Sequence, residues 1–227
     1  MVERALRYVR DHGVGATARV AAGELRGRLY LDEIHVWYGL DLTSLPEGRP
    51  IPEGLRLVRA TDADVPMYVA LGQASEASTR ERLGSGGALW IVTDGTVAAF
   101  ACWTFERGTP VEAARGGTLR LPETCVCLED SVTSPDFRGR GVAPGAWSAI
   151  AQQLRDEGFT LMITKVGLEN APSRRAVTKA GFVEFAVMRY RRRGPQRRVE
   201  VWPDGAARGI DLIAALPART AAPPAPS

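Results

Sequence analysis

Residues 134–143 read SPDFRGRGVA, and they join an apolar strand pattern that ends at Thr133 to an amphipathic helix pattern that begins near Ala143. Gly139 and Gly141 keep Cβ atoms off this loop, so several backbone N–H groups can converge on one anion. A helix that begins at the same place adds partial positive charge. The stretch therefore predicts a pyrophosphate-binding loop made mainly of backbone N–H groups.

Two commoner phosphate-binding motifs do not fit this loop. It lacks the GKS or GKT ending of a nucleoside-triphosphatase loop, and it lacks the three-glycine spacing of a dinucleotide-binding turn. Neither ATP nor NAD is therefore favoured as its ligand.

Strand and helix patterns extend in both directions from the loop. Between Gly54 and Trp202 the predicted order is β-α-α-β-β-β-α-β-α-β-β. Asp94-Gly95 separates two apolar, β-branched stretches, which is a strong hairpin signal. A helix is predicted to begin at Asn170-Ala171-Pro172 and to end at Gly181. The mixed order indicates an α/β fold.

The loop has an RxxGxA pattern made by Arg138, Gly141 and Ala143, and NAPSRRAVTKAGF follows at 170–182. Together with the place of the loop after the fourth core strand, these segments resemble the GNAT superfamily of acyl-CoA-dependent N-acyltransferases. The resemblance covers roughly residues 54–202. It implies a mixed, mostly antiparallel central sheet that is flanked by helices and splayed at the CoA-binding strands. It also implies transfer of an acetyl or short acyl group to a primary amine by direct attack in a ternary complex.

The same resemblance assigns contacts to acetyl-CoA or another short acyl-CoA. Main-chain N–H groups of residues 138–143 would bind the pyrophosphate, and residues 131–133 would hydrogen-bond the pantetheine arm like an added strand. Asn170 and Ser173 stand at the Asn-x-x-Ala/Ser positions of the family and would touch the arm near the thiol. The expected cofactor-binding residues are Ser131, Val132, Thr133, Arg138, Gly139, Arg140, Gly141, Val142, Ala143, Asn170 and Ser173.

A catalytic base is expected in the strand before the loop, because the attacking amine must lose a proton. Glu129 has the same alternation as Ser131 and Thr133, so we expect it to face the cleft as this base. The resemblance implies a bulge in the strand, which would switch faces and favour Asp130 instead. The alternative for either carboxylate is an ion pair with one of the many arginines.

A catalytic acid is harder to assign. Many GNAT members carry a tyrosine seven residues after the Asn, where it protonates the departing thiolate, whereas this sequence has Val177 there. Tyr190 in the following strand is the expected substitute. The alternatives are that Tyr190 belongs to the core or the pocket wall, and that the thiolate leaves without an acid.

Three segments are predicted along the chain. Residues 1–50 form an N-terminal extension, a helical segment plus a strand, that packs on the main domain and either covers a sheet edge or adds to the acceptor cleft. Residues 51–204 form the acyltransferase domain. Residues 205–227 form a C-terminal segment that is disordered from about residue 217, since its prolines and alanines cannot offset the entropy of ordering. In the extension, His35 is either a site residue or part of an ordinary strand face.

Composition limits the other classes of function. The 227 residues include three cysteines and two histidines, too few and too scattered for a metal cluster, so no metal is expected. No apolar run reaches the roughly 18 residues of a membrane helix, which predicts a cytoplasmic protein without membrane contact. The 29 basic residues include two lysines, Lys165 and Lys179, and 26 acidic residues are interspersed among them. This balance gives weak support for nucleic-acid binding.

Several alternatives stay open at this point. A catalytically weak GNAT-like domain could bind acyl-CoA as a sensor or partner module, and the absent tyrosine favours that alternative. Six arginines around the last predicted hairpin, between residues 189 and 198, could receive an acidic acceptor, the 3′-phosphate of CoA or RNA. The same hairpin could pair with a second subunit in a homodimer. The acceptor is predicted only as a small-molecule or peptide amine.

Overall fold

The structure is a computed structural model that describes residues 30–106, 121–203 and 218–219. Within these residues, nine strands form one sheet and four α-helices cover it. The strands are β1 (Tyr30–Asp41), β2 (Arg56–Arg59), β3 (Gly87–Thr93), β4 (Ala98–Phe105), β5 (Cys125–Thr133), β6 (Leu161–Gly167), β7 (Val183–Arg193), β8 (Gln196–Pro203) and β9 (Ala218–Arg219). The helices are α1 (Val65–Val69), α2 (Glu76–Gly84), α3 (Val142–Asp156) and α4 (Ala171–Lys179).

The strand order across the sheet is β2-β3-β4-β5-β6-β1-β7-β8-β9. Neighbouring strands are antiparallel except for the pairs β5–β6 and β8–β9, which are parallel. The fold is therefore the predicted mixed, mostly antiparallel sheet flanked by helices. From β2 to β8 the elements also follow the predicted order, and the Asp94-Gly95 hairpin joins β3 to β4.

The parallel strands β5 and β6 stay together for only part of their length. They pair from Cys125 opposite Leu161 to Leu128 opposite Thr164, and no pair follows among the described residues of either strand. At the last pair, the Thr164 hydroxyl donates a hydrogen bond of 2.8 Å to the carbonyl oxygen of Leu128. Beyond this point the two strands separate, as the predicted splay requires.

The strand of the N-terminal extension lies inside the sheet rather than along its edge. β1 pairs with β6 on one side and with β7 on the other, and Trp37 stands opposite both Lys165 and Ala186. Its middle residues are buried on both faces of the sheet, as expected for an interior strand. The predicted helical segment before residue 30 lies outside the described residues.

Each face of the sheet carries its own core. On one face, Ile150 of α3 and Val177 of α4 pack with apolar strand residues that include Val126 and Leu128. On the other face, Trp103 lies at the centre, and its Nε1 donates a hydrogen bond of 3.0 Å to the Tyr68 hydroxyl of α1. The splay of β5 and β6 opens between these two cores.

Of the predicted C-terminal segment, the structure describes Ala218–Arg219, which form β9 next to β8. An edge strand such as β8 presents unpaired backbone groups that another segment can satisfy. The rest of the segment lies outside the described residues. None of the described helices is long and apolar enough to cross a membrane.

Candidate active site

A groove of about 1080 Å³ opens where β5 and β6 separate. Residues 129–133 of β5 form one wall, and residues 164–167 of β6 form the other. The loop before α3 closes one end, and the first turns of α4 lie beside it. The groove is therefore built by the splay and by the two segments that the sequence singled out.

The loop before α3 presents backbone N–H groups to the groove. Gly139 and Gly141 both have left-handed backbone conformations, with φ angles of 76° and 78°, which glycine adopts without strain. A Cβ atom at either position would meet no described atom within 4 Å, so the space in front of the loop is open. Gly141 caps α3 without a side-chain hydrogen bond, and the first helical bond runs from Gly145 N to Gly141 O. The N–H groups of residues 139–143 are therefore available to an anion, whereas Arg138 N donates to the Pro135 carbonyl oxygen at 3.3 Å.

Cationic side chains surround the same end of the groove. Arg138 keeps its place by donating from Nε to the Thr133 carbonyl oxygen at 3.3 Å. Arg175 and Lys179 come from α4, and Arg49 comes from the segment before β2. Arg49 Nε also donates to the carbonyl oxygen of Lys179 at 3.3 Å. This end of the groove thus combines open backbone N–H groups with positive side chains, as phosphate groups require.

Ten of the eleven predicted cofactor-binding residues line the groove. The exception is Arg140, whose guanidinium lies 5.2 Å from the centre of the Phe137 ring. Asn170 caps α4 by accepting a hydrogen bond of 3.2 Å from Ser173 N, which fixes both residues at the groove. The ten are Ser131, Val132, Thr133, Arg138, Gly139, Gly141, Val142, Ala143, Asn170 and Ser173. Their role in cofactor binding stays a prediction.

A β-bulge changes the direction of the side chains in β5. The register with β4 shifts so that Asp130 and Ser131 together oppose Cys102, and Asp130 has a φ of 50°. Ser131 Oγ then accepts a hydrogen bond of 3.3 Å from Trp147 Nε1 on the α3 side, whereas Glu129 contacts Cys127 on the other side. The expected shared alternation of Glu129 with Ser131 is wrong, because the bulge interrupts it.

Both candidate carboxylates line the groove, and each is paired with a cation. Glu129 Oε1 accepts from Lys165 Nζ at 2.5 Å and from Cys127 Sγ at 3.5 Å. Asp130 lies 2.5 Å from Arg82 Nη1, and both of these side chains are about half exposed. Both carboxylates therefore form ion pairs, although the partner of Glu129 is a lysine rather than an arginine, and the role of either as the base stays a prediction.

The Glu129–Lys165 pair is buried, with side-chain exposures of 16% and 9%. Burial raises the pKa of Glu129, and the charge of Lys165 partly opposes this effect. The sequence analysis did not assign Lys165 to the site. One signal was available, because Lys165 is one of only two lysines and lies within an otherwise apolar strand.

Tyr190 does not belong to the groove, so its assignment as the catalytic acid is not supported by its position. Its side chain is fully buried in the core with Ala186 and Met188, since alternate residues of β7 face that core. Its hydroxyl has no hydrogen-bond partner among the described residues. Val177 does line the groove, at the position where many GNAT members have a tyrosine.

β1 adds two residues to the groove that sequence reasoning missed or left open. Glu33 was not considered, and His35 was left between a site residue and a strand face. Both now line the groove because β1 lies beside β6. Burial, followed by the charge of Lys165, lowers the pKa of His35.

Comparison with known sequences decides the family. A sequence profile described as the Acetyltransferase (GNAT) family matches residues 58–182, more than half of the chain. This protein belongs to the GNAT acetyltransferase family. No curated protein sequence matches it. The matched range ends well after the loop but begins after β1, so Glu33 and His35 lie outside the part shared with the family profile.

Solved structures show the same GNAT fold. A GCN5-related N-acetyltransferase from Sphaerobacter thermophilus superposes with a TM-score of 0.55 at 13% identity, covering 77% of this chain and 56% of that one. A GCN5-related N-acetyltransferase from Kribbella flavida gives 0.53 at 13% identity, covering 77% of this chain and 63% of that one. This GNAT chain therefore spans less than two thirds of the length of either structure.

Proposed function

We propose that this GNAT protein transfers an acetyl or short acyl group from acyl-CoA to a primary amine, with both substrates bound at once. One observation carries the proposal. A single groove joins the N–H groups and cations around Gly141 to the buried carboxylate of Glu129. The first end suits the phosphates of CoA, and the second suits a reaction in which an amine loses a proton.

The residues around the splay fit the parts of acyl-CoA in order. The loop at 138–143 and Arg138 would hold the pyrophosphate. Residues 131–133 would hydrogen-bond the pantetheine arm, because β6 has turned away and leaves that edge of β5 unpaired. Asn170 and Ser173, at the start of α4, line the same groove and would touch the arm near the thiol. When bound, acyl-CoA supplies an acyl thioester that is activated towards amines.

Glu129 would act as the base. Its Oε1 is held by Lys165 and Cys127, whereas its Oε2 accepts no hydrogen bond from any described residue. Oε2 can therefore receive the proton that the amine nitrogen loses as that nitrogen bonds to the acyl carbon. The C–S bond then breaks and its electron pair leaves with the sulfur. Lys165 keeps Glu129 in position and balances its charge before the proton arrives.

No tyrosine takes the role of acid in this proposal. Val177 stands where the family often has one, and Tyr190 is buried outside the groove. A CoA thiolate is a moderately good leaving group, so the transfer does not require a side chain that protonates it.

A binding module without efficient turnover is the second candidate function. The specific observation in its favour is Val177, which removes the usual acid from the groove. RNA binding through the arginine hairpin has less support. Arg191 and Arg198 both pair with Glu200, and Arg189 pairs with Asp32, so two carboxylates offset part of the positive charge of the six arginines.

Calorimetric titration with acetyl-CoA tests the proposal, with dephospho-CoA and ATP as controls. We expect saturable micromolar binding of acetyl-CoA that survives moderate salt, and none of comparable strength with ATP. Amine-dependent release of free thiol then separates the enzyme from the sensor, because a sensor binds acetyl-CoA without releasing thiol. Absence of binding by the folded protein would reject both.

A further inference from the structure

The acceptor end of the groove, the part lined by Glu33, Glu129 and Lys165, holds one carboxylate that forms no ion pair with the described residues. Three carboxylates line the groove, namely Glu33, Glu129 and Asp130. Glu129 pairs with Lys165, and Asp130 pairs with Arg82. Glu33 forms no ion pair with any described residue.

The neighbouring carboxylate of Asp32 has a counterion on the opposite face of β1. Arg189 binds Asp32 there through two nitrogen atoms at 2.7 and 2.6 Å. On the face of Glu33 the hairpin places Arg192, which stands opposite Leu31. Glu33 is half-buried at the groove, and no ion pair of the described residues includes it.

His35 does not neutralise Glu33, although it lies next to it on the same face. Burial is the main cause that lowers the pKa of His35, Lys165 lowers it further, and the charge of Glu33 opposes both effects, so the imidazole carries less positive charge than an exposed histidine at the same pH. Its Nδ1 is buried without a hydrogen-bond partner among the described residues. Gly167 stands opposite His35, and a Cβ there would meet no described atom within 4 Å. The groove is therefore open in front of Gly167.

We propose that Glu33 binds a second cationic group on the acceptor, so the preferred acceptors are diamines or amines that carry another positive charge. The inference rests on the proposed function, because it assigns the substrate class of the same groove. One amino group would be acylated beside Glu129, and the other, still an ammonium, would pair with Glu33.

The length of the acceptor follows from strand geometry. Trp37 stands opposite Lys165, which holds Glu129. Glu33 lies four residues from Trp37 on the same face of β1, roughly 14 Å along the strand at about 3.4 Å per residue. Both Glu33 and Glu129 line the groove. A short diamine with several methylene groups is therefore the suitable probe, and its length should be varied.

The test measures kcat/KM for α,ω-diamines of two to six carbons and for monoamines of equal length. Acetyl-CoA is the acyl donor, and the release of free thiol reports the rate. We expect the best diamine to exceed its monoamine by roughly tenfold, the value of one charged hydrogen bond. Glu33→Gln should remove this preference by raising the KM for the diamine, with little change in kcat or in the KM for the monoamine. Glu33→Asp should retain part of it.

Asp32→Asn is the matched control, because it removes the adjacent carboxylate from the opposite face of β1. It should leave the preference for diamines unchanged, and circular dichroism should show that all variants are folded at the assay temperature. Equal turnover of diamines and monoamines, or a preference that Glu33→Gln leaves intact, would overturn the inference about Glu33 alone. Binding of acetyl-CoA without thiol release from any amine would overturn the proposed function itself.

Discussion

The two ends of the groove depend on different kinds of interaction. The anion end uses backbone N–H groups of one continuous segment, held by the positive φ angles of Gly139 and Gly141. The acceptor end uses buried or half-buried side chains from three strands, with Glu129 from β5, Lys165 from β6 and Glu33 from β1. A backbone site resists most side-chain changes but fails when its conformation or its open space is lost. A site of paired charges instead responds to each charge and to pH.

The largest effect is expected from closing the anion end. Gly141→Glu places a negative side chain against the open N–H groups, so binding of acetyl-CoA should weaken on the order of 10³-fold through like-charge repulsion. Calorimetry measures the loss. Gly158→Glu is the matched control, since Gly158 also has a positive φ, of 96°, but lies after the other end of α3.

Both glycine variants should lose about 1–2 kcal/mol of stability, the cost of a left-handed non-glycine residue. Only Gly141→Glu should lose affinity. If Gly158→Glu weakened binding equally, the effect of Gly141→Glu would be a general consequence of strain in α3. If a folded Gly141→Glu kept its affinity, the loop would not be the phosphate site.

Removing the carboxylate of Glu129 should lower the rate of acyl transfer without changing the affinity for acetyl-CoA. Glu129→Gln should reduce kcat by roughly 10²-fold, within the usual range for a general base, and should leave the affinity for acetyl-CoA unchanged. The wild-type rate should fall as the pH drops through the raised pKa of Glu129, because protonation removes the base. This acidic limb should be missing in the variant, and an identical pH profile would exclude Glu129 as the base.

The same raised pKa also predicts how stability varies with pH. The folded carboxyl holds its proton at pH values where the unfolded one has released it, so this group makes the fold less stable as the pH rises across that interval. Glu129→Gln removes this contribution. Urea unfolding at several pH values should show a smaller decline for the variant than for the wild type.

The difference between the two ends also explains what the sequence could predict. The loop was recognisable because its glycines, its basic residues and the start of α3 are contiguous between 138 and 143. Contiguous segments carry their geometry in local backbone preferences. The hairpin at Asp94-Gly95 and the helix that begins at Asn170 were predictable for the same reason.

The acceptor end was not predictable in this way, because it depends on register and topology. Nothing local to β1 shows that it lies between β6 and β7, and Glu33 reaches the groove only by that placement. The orientation of Glu129 relative to Ser131 was inferred from the regular alternation of side chains in a strand. The bulge at Asp130 reverses that alternation. A shift of one residue in a strand moves every later side chain to the other face.

A smaller effect is expected from removing the counterion of Glu129. Lys165→Met leaves a buried carboxylate without its partner, so the pKa of Glu129 should rise further and the acidic limb of kcat/KM should move to higher pH. Stability at neutral pH should fall by roughly 3 kcal/mol, as for other buried pairs that lose one member. Arg82→Met breaks the exposed Asp130 pair and should cost less than about 1 kcal/mol. Equal losses of stability in Lys165→Met and Arg82→Met would mean that burial does not determine how much each ion pair contributes to stability.

The smallest effect is expected at Tyr190, the residue that the sequence suggested for the acid. The hydroxyl is buried away from the groove and has no hydrogen-bond partner among the described residues. Tyr190→Phe should therefore leave kcat within about twofold and raise stability by about 1 kcal/mol, because a buried polar group without a partner is removed. Steady-state kinetics across pH and urea unfolding measure both quantities. A large fall in kcat together with loss of the alkaline limb would instead return Tyr190 to the reaction, and it would show that the acceptor end extends from β1 to β7.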